Sequence, residues 1–209
     1  MITVIGYGSL LSPESAKETV PDLQNFRLVK VPGYRRMFNK VGISFIYRYN
    51  LAESDVHIAS CSTRLDLDCE LTACAFEVSD EHFLDLYERE HRFQWALVKA
   101  FQDNGDAVVG RMCTESSDEQ YRLNKCITDK VYHDYVGQYY AGKIWREDIL
   151  PFPVYLNHCL EAAKQHGDDV YQNFVNTTYI ADGETTIKDL LAQQPNYLAT
   201  DLAYTYKKQ

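Results

Sequence analysis

The sequence predicts an α+β fold, because segments typical of strands come first and segments with helical periodicity dominate the last third of the chain. The chain has 209 residues, which suits one large domain, and no linker rich in Pro, Gly or Ser divides it. We therefore expect a single domain over residues 1–209, with a core over about residues 1–175 and a helical extension over about residues 176–209.

Strand signals fill the first half of the chain. Residues 2–5 form a short apolar run that predicts a buried strand, and the glycine-containing loop after them carries helix-start signals. Asn104 and Gly105 predict a tight hairpin turn between strands at 94–101 and 107–113. Enrichment in β-branched and aromatic residues predicts the other strands, at 26–31, 43–49, 56–64 and 71–78.

Helix signals begin at Ser79, whose hydroxyl suits an N-cap. Asp80 and Glu81 follow in the first turn, where carboxylates complement the helix dipole. We expect this helix to end near Glu90. From Thr128 onward, apolar residues recur at helical spacing. That spacing predicts the remaining helices, over about 131–139, 155–163 and 170–177 and after residue 185.

The charge balance argues against polyanionic partners. Lys and Arg number 21 against 30 Asp and Glu, and the net charge of -9 makes nucleic acids and anionic membranes poor ligands. No apolar run approaches the roughly 20 residues of a transmembrane helix. The six cysteines contain no C-x-x-C pair and no signal-peptide pattern opens the chain, so we expect free thiols and a cytoplasmic protein.

The first candidate site is the loop over residues 6–10, which has glycine at positions 6 and 8. Two glycines after a buried strand let consecutive backbone N–H groups point outward and hold a carboxylate or an oxyanion. The loop lacks the third glycine of a dinucleotide fingerprint, and Ser9 does not lie in a G-x-S-x-G elbow. A tight turn with a purely structural role remains the alternative.

The second candidate is Glu90, at the end of the helix that begins at Ser79. At about 100° per residue, Glu90 lies within roughly 40° of the centre of the apolar stripe, whereas Glu88 lies roughly 120° away. A carboxylate that faces apolar surroundings loses hydration, so its pKa rises and it can exchange protons near neutral pH. A structural ion pair with Arg89 or Arg92 remains the alternative.

Several motifs of this sequence resemble, in the same order, those of the γ-glutamylcyclotransferase-like superfamily. Residues 4–10 resemble the Y-G-S-[NL] loop that opens these proteins, and residues 32–39 and 75–81 resemble two of the family's strand segments. Residues 84–93 are similar to the segment that contains the family's catalytic glutamate, and residues 151–155 resemble its P-S-x-x-Y motif. The motifs span about residues 1–175, and the ordered set is more specific than any single motif.

This resemblance implies a curved mixed sheet or partial barrel with flanking helices. It also implies an enzyme that needs no cofactor and converts a small γ-glutamyl amine or peptide to 5-oxoproline and a free amine. Glu90 takes the place of the catalytic glutamate, with Glu88 as an alternative register of the motif. The substrate-binding residues implied are Tyr7, Gly8, Ser9, Leu10, Arg35 and Tyr155.

Two other functions remain open from the sequence. A non-catalytic binding or regulatory module would keep the loop and a pocket without turnover, and a cysteine-dependent hydrolase would use one of the six thiols. Metal chemistry has little support, because the six histidines are scattered and no H-E-x-x-H or zinc-site spacing occurs. We therefore expect no metal and no organic cofactor, and the sequence indicates neither the oligomeric state nor the amine released.

Overall fold

The computed structural model describes residues 1–52 and 54–199, and it confirms the α+β prediction. Within these residues, seven strands form one mixed sheet. The strands are β1 (Ile2–Gly6), β2 (Gln24–Val41), β3 (His57–Val78), β4 (Gln94–Phe101), β5 (Ala107–Thr114), β6 (Leu150–Pro151) and β7 (Thr178–Ile180).

Helices pack around this sheet. The α-helices are α1 (Pro13–Lys17), α2 (Ile43–Tyr49), α3 (Asp80–Arg89), α4 (Asp118–Lys125), α5 (Asp129–Tyr132), α6 (Pro153–Lys164), α7 (Asp168–Thr177) and α8 (Ile187–Gln193). A 3-10 turn covers Ser9–Leu11, and a π-helix covers His133–Gly137. No helix within the described ranges combines the length and the apolar character needed to cross a membrane.

Five of the strands close into a barrel. The order around it is β3, β1, β5, β4 and β2, and β2 then pairs with β3. The β1–β5 pair is parallel and the other pairs of the ring are antiparallel. Register shifts interrupt the long β2–β3 ladder at three places, and such irregularities let strands bend around a core. The predicted partial barrel is therefore a closed one, with β6 and β7 added beside β3 and β2.

The barrel interior is apolar and positions the end of β1. Val4 and Ile5 of β1, Phe76 of β3 and Met112 of β5 are at most 1% exposed. Removal of such surface from water is the main stabilising contribution to folding. Because β1 lies between β3 and β5, the glycine loop that follows it leaves the sheet next to both strands.

The strand predicted at 43–49 is wrong, because this segment is helix α2. Ile43 and Ile46 are buried at a spacing of three residues, which places both on one helix face. Asn50 ends the helix in a left-handed conformation, which asparagine tolerates. The β-branched and aromatic composition favoured the wrong element because strand preference depends strongly on tertiary context.

The helix predicted from Ser79 is confirmed as α3. The Ser79 hydroxyl accepts a hydrogen bond from the backbone N–H of His82 at 3.2 Å, and the helix ends at Arg89. A serine N-cap of this kind contributes about 1 kcal/mol. The predicted hairpin is also confirmed, with Gly105 at a φ of 88° between β4 and β5.

The C-terminal third is mainly helical, as predicted, with α6, α7 and α8. It also contains β7, which pairs in parallel with residues 36–38 of β2. The sequence did not predict this strand because three residues are too few for a recognisable periodicity. Residues 200–209 of the predicted extension lie outside the described residues.

Candidate functional site

A cavity of about 700 Å³ opens beside the end of β1. Both segments that the sequence singled out line it, the glycine loop and the end of α3. The predicted site residues found in its wall are Tyr7, Gly8, Ser9, Leu10, Glu88, Glu90 and Tyr155. Two segments more than 70 residues apart in the sequence therefore meet at one site.

The glycines allow the loop to pack closely. A Cβ atom at Gly6 would lie 2.7 Å from the Cβ of Leu10, and one at Gly8 would lie 2.8 Å from the hydroxyl oxygen of Tyr155. The backbone N–H of Leu11 donates to the carbonyl of Gly8 at 3.0 Å, which closes the 3-10 turn after the loop. Any larger side chain at Gly8 would displace the Tyr155 hydroxyl from the cavity wall.

Arg36 holds the loop from the side of β2. It is fully buried, its Nε donates to the carbonyl of Tyr7 at 2.8 Å, and a second guanidinium nitrogen donates to the carbonyl of Thr72. Burial lowers the pKa of Arg36 to about 10, which still leaves the side chain charged at neutral pH. Sequence reasoning missed this residue because burial of an arginine on a strand follows only from the tertiary packing.

Arg35, which the resemblance implies as a substrate-binding residue, lies away from this cavity. Its side chain does not line the cavity; it lies over the ring of Tyr179, 3.6 Å from the carboxylate of Asp66. Another nitrogen donates to the carbonyl of Gly183 at 3.3 Å. Successive side chains on a strand point to opposite faces, so only one of two adjacent arginines reaches the glycine loop.

Glu90 follows the last residue of α3 and its side chain is 21% exposed. Its carboxylate pairs with the Nε of Arg89 at 3.1 Å, so the predicted ion pair with Arg89 is present. Burial first, and neighbouring groups that include Glu90, raise the pKa of Tyr7 and of Tyr155 well above the usual range. Both phenols therefore keep their protons and can donate hydrogen bonds near the Glu90 carboxylate.

Glu88 also reaches the cavity, but it is exposed to solvent. Its carboxylate accepts a hydrogen bond from the hydroxyl of Tyr135 at 2.7 Å. The difference in exposure follows the helical angles, which place Glu90 nearer the apolar stripe than Glu88. Of the two acids, Glu90 has the less hydrated position.

The cavity wall also contains hydrogen-bond donors that sequence reasoning did not assign to the site. Lys40 of β2 is 5% exposed, and its ammonium lies 4.5 Å from the ring centroid of Phe93. The Nε of Arg92 and the Nε1 of Trp95 are buried and have no hydrogen-bond partner among the described residues. The sequence signal for Lys40 was weak, because a lysine after a predicted strand usually lies in solvent.

Four of the six cysteines are poor nucleophiles in this fold. Burial raises the pKa of Cys61 and of Cys74 to about 12, and it raises the pKa of Cys113 and of Cys159 well above the usual range. A reactive cysteine requires a lowered pKa, because the thiolate is the nucleophile. In the described part of the chain, no group of three or more His, Cys, Asp or Glu side chains is placed to hold a metal ion.

No family model and no curated protein matches this chain, but solved structures do. One is a gamma-glutamyl cyclotransferase, with 12% identity and a TM-score of 0.46 over 64% of this chain and 85% of that chain. Another is a gamma-glutamyl cyclotransferase specific to glutathione from yeast, with 12% identity and a TM-score of 0.43 over 82% and 94%. A third is YkqA from Bacillus subtilis, with 13% identity and a TM-score of 0.47 over 78% and 48%.

These matches describe a likeness of fold. The family that the sequence motifs resemble is represented among them. Identities of 12% and 13% with TM-scores below 0.5 carry nothing about activity. The chemistry of the site must therefore be inferred from its own residues.

Proposed function

We propose that this chain is a γ-glutamylcyclotransferase-type enzyme that converts a γ-glutamyl amide to 5-oxoproline and a free amine or peptide. One observation carries the proposal: Glu90 and the loop over residues 7–10 line the same cavity, although they lie far apart in the sequence. The ordered motifs that resemble the superfamily support it independently, because they include both segments.

The reaction begins when Glu90 accepts a proton from the α-ammonium of the substrate. The nitrogen then attacks the γ-carbonyl carbon, a C–N bond forms and a five-membered ring closes. Because nucleophile and electrophile belong to one molecule, the protein accelerates the step chiefly by holding the chain folded back, an effect that can contribute about 7–11 kcal/mol at best.

Charge then develops on the carbonyl oxygen. Backbone N–H groups of the loop over residues 7–10 hold this oxyanion, and the protonated phenols of Tyr7 and Tyr155 lie in the same wall. As the oxyanion collapses, the original amide C–N bond breaks and Glu90 returns its proton to the leaving nitrogen. The second ammonium proton follows the same route, so the carboxylate is regenerated and the leaving amine departs as an ammonium.

The test is release of 5-oxoproline by the purified protein from glutathione, γ-glutamyl dipeptides and γ-glutamyl-ε-lysine. We expect Glu90→Gln to retain the fold and to lower kcat by about 100-fold or more, because a primary amide cannot carry the proton. Glu88→Gln is the matched control, since it makes the same change two residues away on the same helix end.

The two variants also test which register of the motif is correct, that is, whether Glu90 or Glu88 is the acid–base group. We expect Glu88→Gln to keep kcat within a few-fold of the wild type, because its carboxylate is solvated and bonded to Tyr135. Loss of turnover in Glu88→Gln with full activity in Glu90→Gln would transfer the acid–base role to Glu88. Full activity in both variants would rule out a glutamate mechanism at this helix end.

A binding or regulatory module is the second candidate, and the Arg89–Glu90 ion pair favours it. An acid held by an adjacent arginine at 3.1 Å can be a structural group rather than a proton carrier. This candidate predicts that 5-oxoproline or a γ-glutamyl peptide binds with no product formed over long incubation. Calorimetric titration alongside the activity assay separates the two functions.

A further inference from the structure

Lys40 is a buried amine with too few partners. Its ammonium donates to the hydroxyl of Ser60 at 3.1 Å and to the carbonyl of Val41 at 3.5 Å, which occupies two of its three N–H groups. Within residues 1–52 and 54–199, it forms no ion pair with a carboxylate. A buried charge without a counter-ion is costly, so such a lysine is either neutral or bound to an anionic ligand.

The surrounding wall is also rich in donors. The Nε of Arg92 and the Nε1 of Trp95 face no acceptor among the described residues, and both residues line the cavity. When Lys40 is charged, cations in the cavity wall outnumber acids by one. The cations are Lys40, Arg48, Arg89 and Arg92, and the acids are Glu18, Glu88 and Glu90. A ligand with a single carboxylate would satisfy these donors.

We propose that Lys40 is the counter-ion of the ligand's carboxylate in this cavity, and that carboxylate binding charges the Lys40 amine. The choice of ligand rests on the proposed function, because a γ-glutamyl group carries one carboxylate and one ammonium. Lys40 and Glu90 offer the complementary pair, a cation for the carboxylate and an acid for the ammonium. With the carboxylate on Lys40, the glycine loop is left to hold the oxyanion.

The electrostatics of Lys40 agree with this role. Burial first, and then the neighbouring Arg92, lower the pKa of Lys40, while Glu90 and Cys113 act in the opposite direction, and the net result is a pKa of about 7. The thiol of Cys113 is itself kept neutral by a raised pKa, so Glu90 and Arg92 are the charged groups that face the amine. An arriving carboxylate raises the pKa of Lys40, so binding above about pH 7 takes a proton from solvent.

The experiment is calorimetric titration at pH 7.5 in two buffers of different ionisation enthalpy, which measures protons taken up on binding. The probes are 5-oxoproline and 2-pyrrolidinone, which has the same ring without the carboxylate. We expect wild-type protein to bind 5-oxoproline at least about tenfold more tightly than 2-pyrrolidinone, with proton uptake only for 5-oxoproline. At pH 5.5 the uptake should fall, because Lys40 is already charged.

Lys40→Met removes the amine and keeps a side chain of similar length. We expect it to bind the two probes with similar affinity and to take up no proton at pH 7.5. Lys99→Met is the matched control, because Lys99 also lies over an aromatic ring, that of Phe101, but is exposed on β4. Lys40→Arg is a second variant, expected to keep the preference for 5-oxoproline without the proton uptake.

Three results would each overturn the proposal: no binding of 5-oxoproline to the wild type, no proton uptake at pH 7.5, or an unchanged preference in Lys40→Met. If Lys40→Met does not fold, the wild-type titrations and Lys40→Arg decide the question. None of these titrations requires turnover. A protein that binds the carboxylate through Lys40 but releases no 5-oxoproline would contradict the proposed reaction and leave the role of Lys40 intact.

Discussion

Single residues in this protein acquire their chemistry from burial. Lys40 and Lys99 are both lysines on strands over aromatic rings, yet one is 5% exposed and the other lies in solvent. Burial of Lys40 lowers its pKa from the ordinary 10.5 to about 7. A fall of this size corresponds to a cost of about 5 kcal/mol for keeping the ammonium charged in the folded state.

The stability of the protein should therefore depend on pH through Lys40. Because its pKa is lower in the folded state, the unfolded chain binds more protons between about pH 7 and pH 10, and the free energy of unfolding rises with pH over that window. We expect Lys40→Met to be more stable than the wild type at pH 6, by up to about 5 kcal/mol.

The stability advantage of Lys40→Met over the wild type should shrink as pH rises toward 10, because the wild-type amine then becomes neutral in the unfolded state as well as in the folded state. Urea unfolding of the ligand-free proteins across this range measures it, with Lys99→Met as the control that shows no such trend. A Lys40→Met variant that is less stable than the wild type at every pH would mean that the amine makes stabilising contacts which outweigh its burial.

At the scale of elements, β2 connects the fold to the site. Its residue Arg36 bonds to the carbonyls of Tyr7 and Thr72, so a strand on one side of the barrel fixes the loop that follows β1. The same guanidinium lies over the ring of Phe174 in α7, at 4.7 Å from the centroid. The loop geometry thus depends on a contact with β2, whose Arg36 is itself held by β3 and α7, and not on the glycines alone.

This arrangement predicts different outcomes for the two adjacent arginines. We expect Arg36→Met to lower the free energy of unfolding by about 2–4 kcal/mol, because it leaves buried carbonyl groups without a donor. Arg35→Met, the matched control, should lower it by less than Arg36→Met does, because it removes a partly exposed ion pair with Asp66, one hydrogen bond and a ring contact, and leaves the glycine loop in place. Chemical denaturation measures both.

The two arginine variants should also differ in ligand binding. Arg36→Met should also weaken binding of 5-oxoproline, since the carbonyl of Tyr7 is no longer held, whereas Arg35→Met should bind as the wild type does. Equal losses of stability and of affinity in the two variants would contradict the conclusion that Arg36, and not Arg35, holds the glycine loop.

At the scale of the whole molecule, the packing of the barrel and its helices removes most thiols from solvent. Cys61, Cys74, Cys113, Cys126 and Cys159 are buried, while Cys69 is partly exposed. Cys61 and Cys113 line the cavity, but their raised pKa values keep them as thiols. The packing of sheet and helices thus protects the side chains that a cysteine-dependent mechanism would need.

Alkylation of the folded protein should follow this pattern. We expect iodoacetamide at pH 7.5 to label Cys69 first and the buried thiols only as the barrel opens, with no loss of 5-oxoproline release. Mass spectrometry of the labelled peptides with a parallel activity assay tests this, and Cys69→Ser provides the control. Rapid labelling of Cys61 or Cys113 that abolishes turnover would instead support a cysteine nucleophile.

Local patterns in the sequence determined most of the elements and the two segments that form the candidate site. Ser79 with its acidic first turn, the Asn104-Gly105 hairpin and the glycines at positions 6 and 8 each predict structure through contacts within a few residues. The lower exposure of Glu90 relative to Glu88 agrees with the direction that helical geometry predicts. These features could be predicted because their physical causes lie within one turn or one loop.

Only the tertiary structure decided the rest. Closure of the barrel and the helical state of residues 43–49 depend on which elements pack together. The same holds for the contact of Arg36, rather than Arg35, with the glycine loop and for the burial of Lys40. Desolvation and long-range hydrogen bonds have no counterpart in local spacing, because the groups that cause them are brought in by distant segments. The sequence therefore determined which side chains the site could use, and the packing of the barrel decided which of them face the cavity.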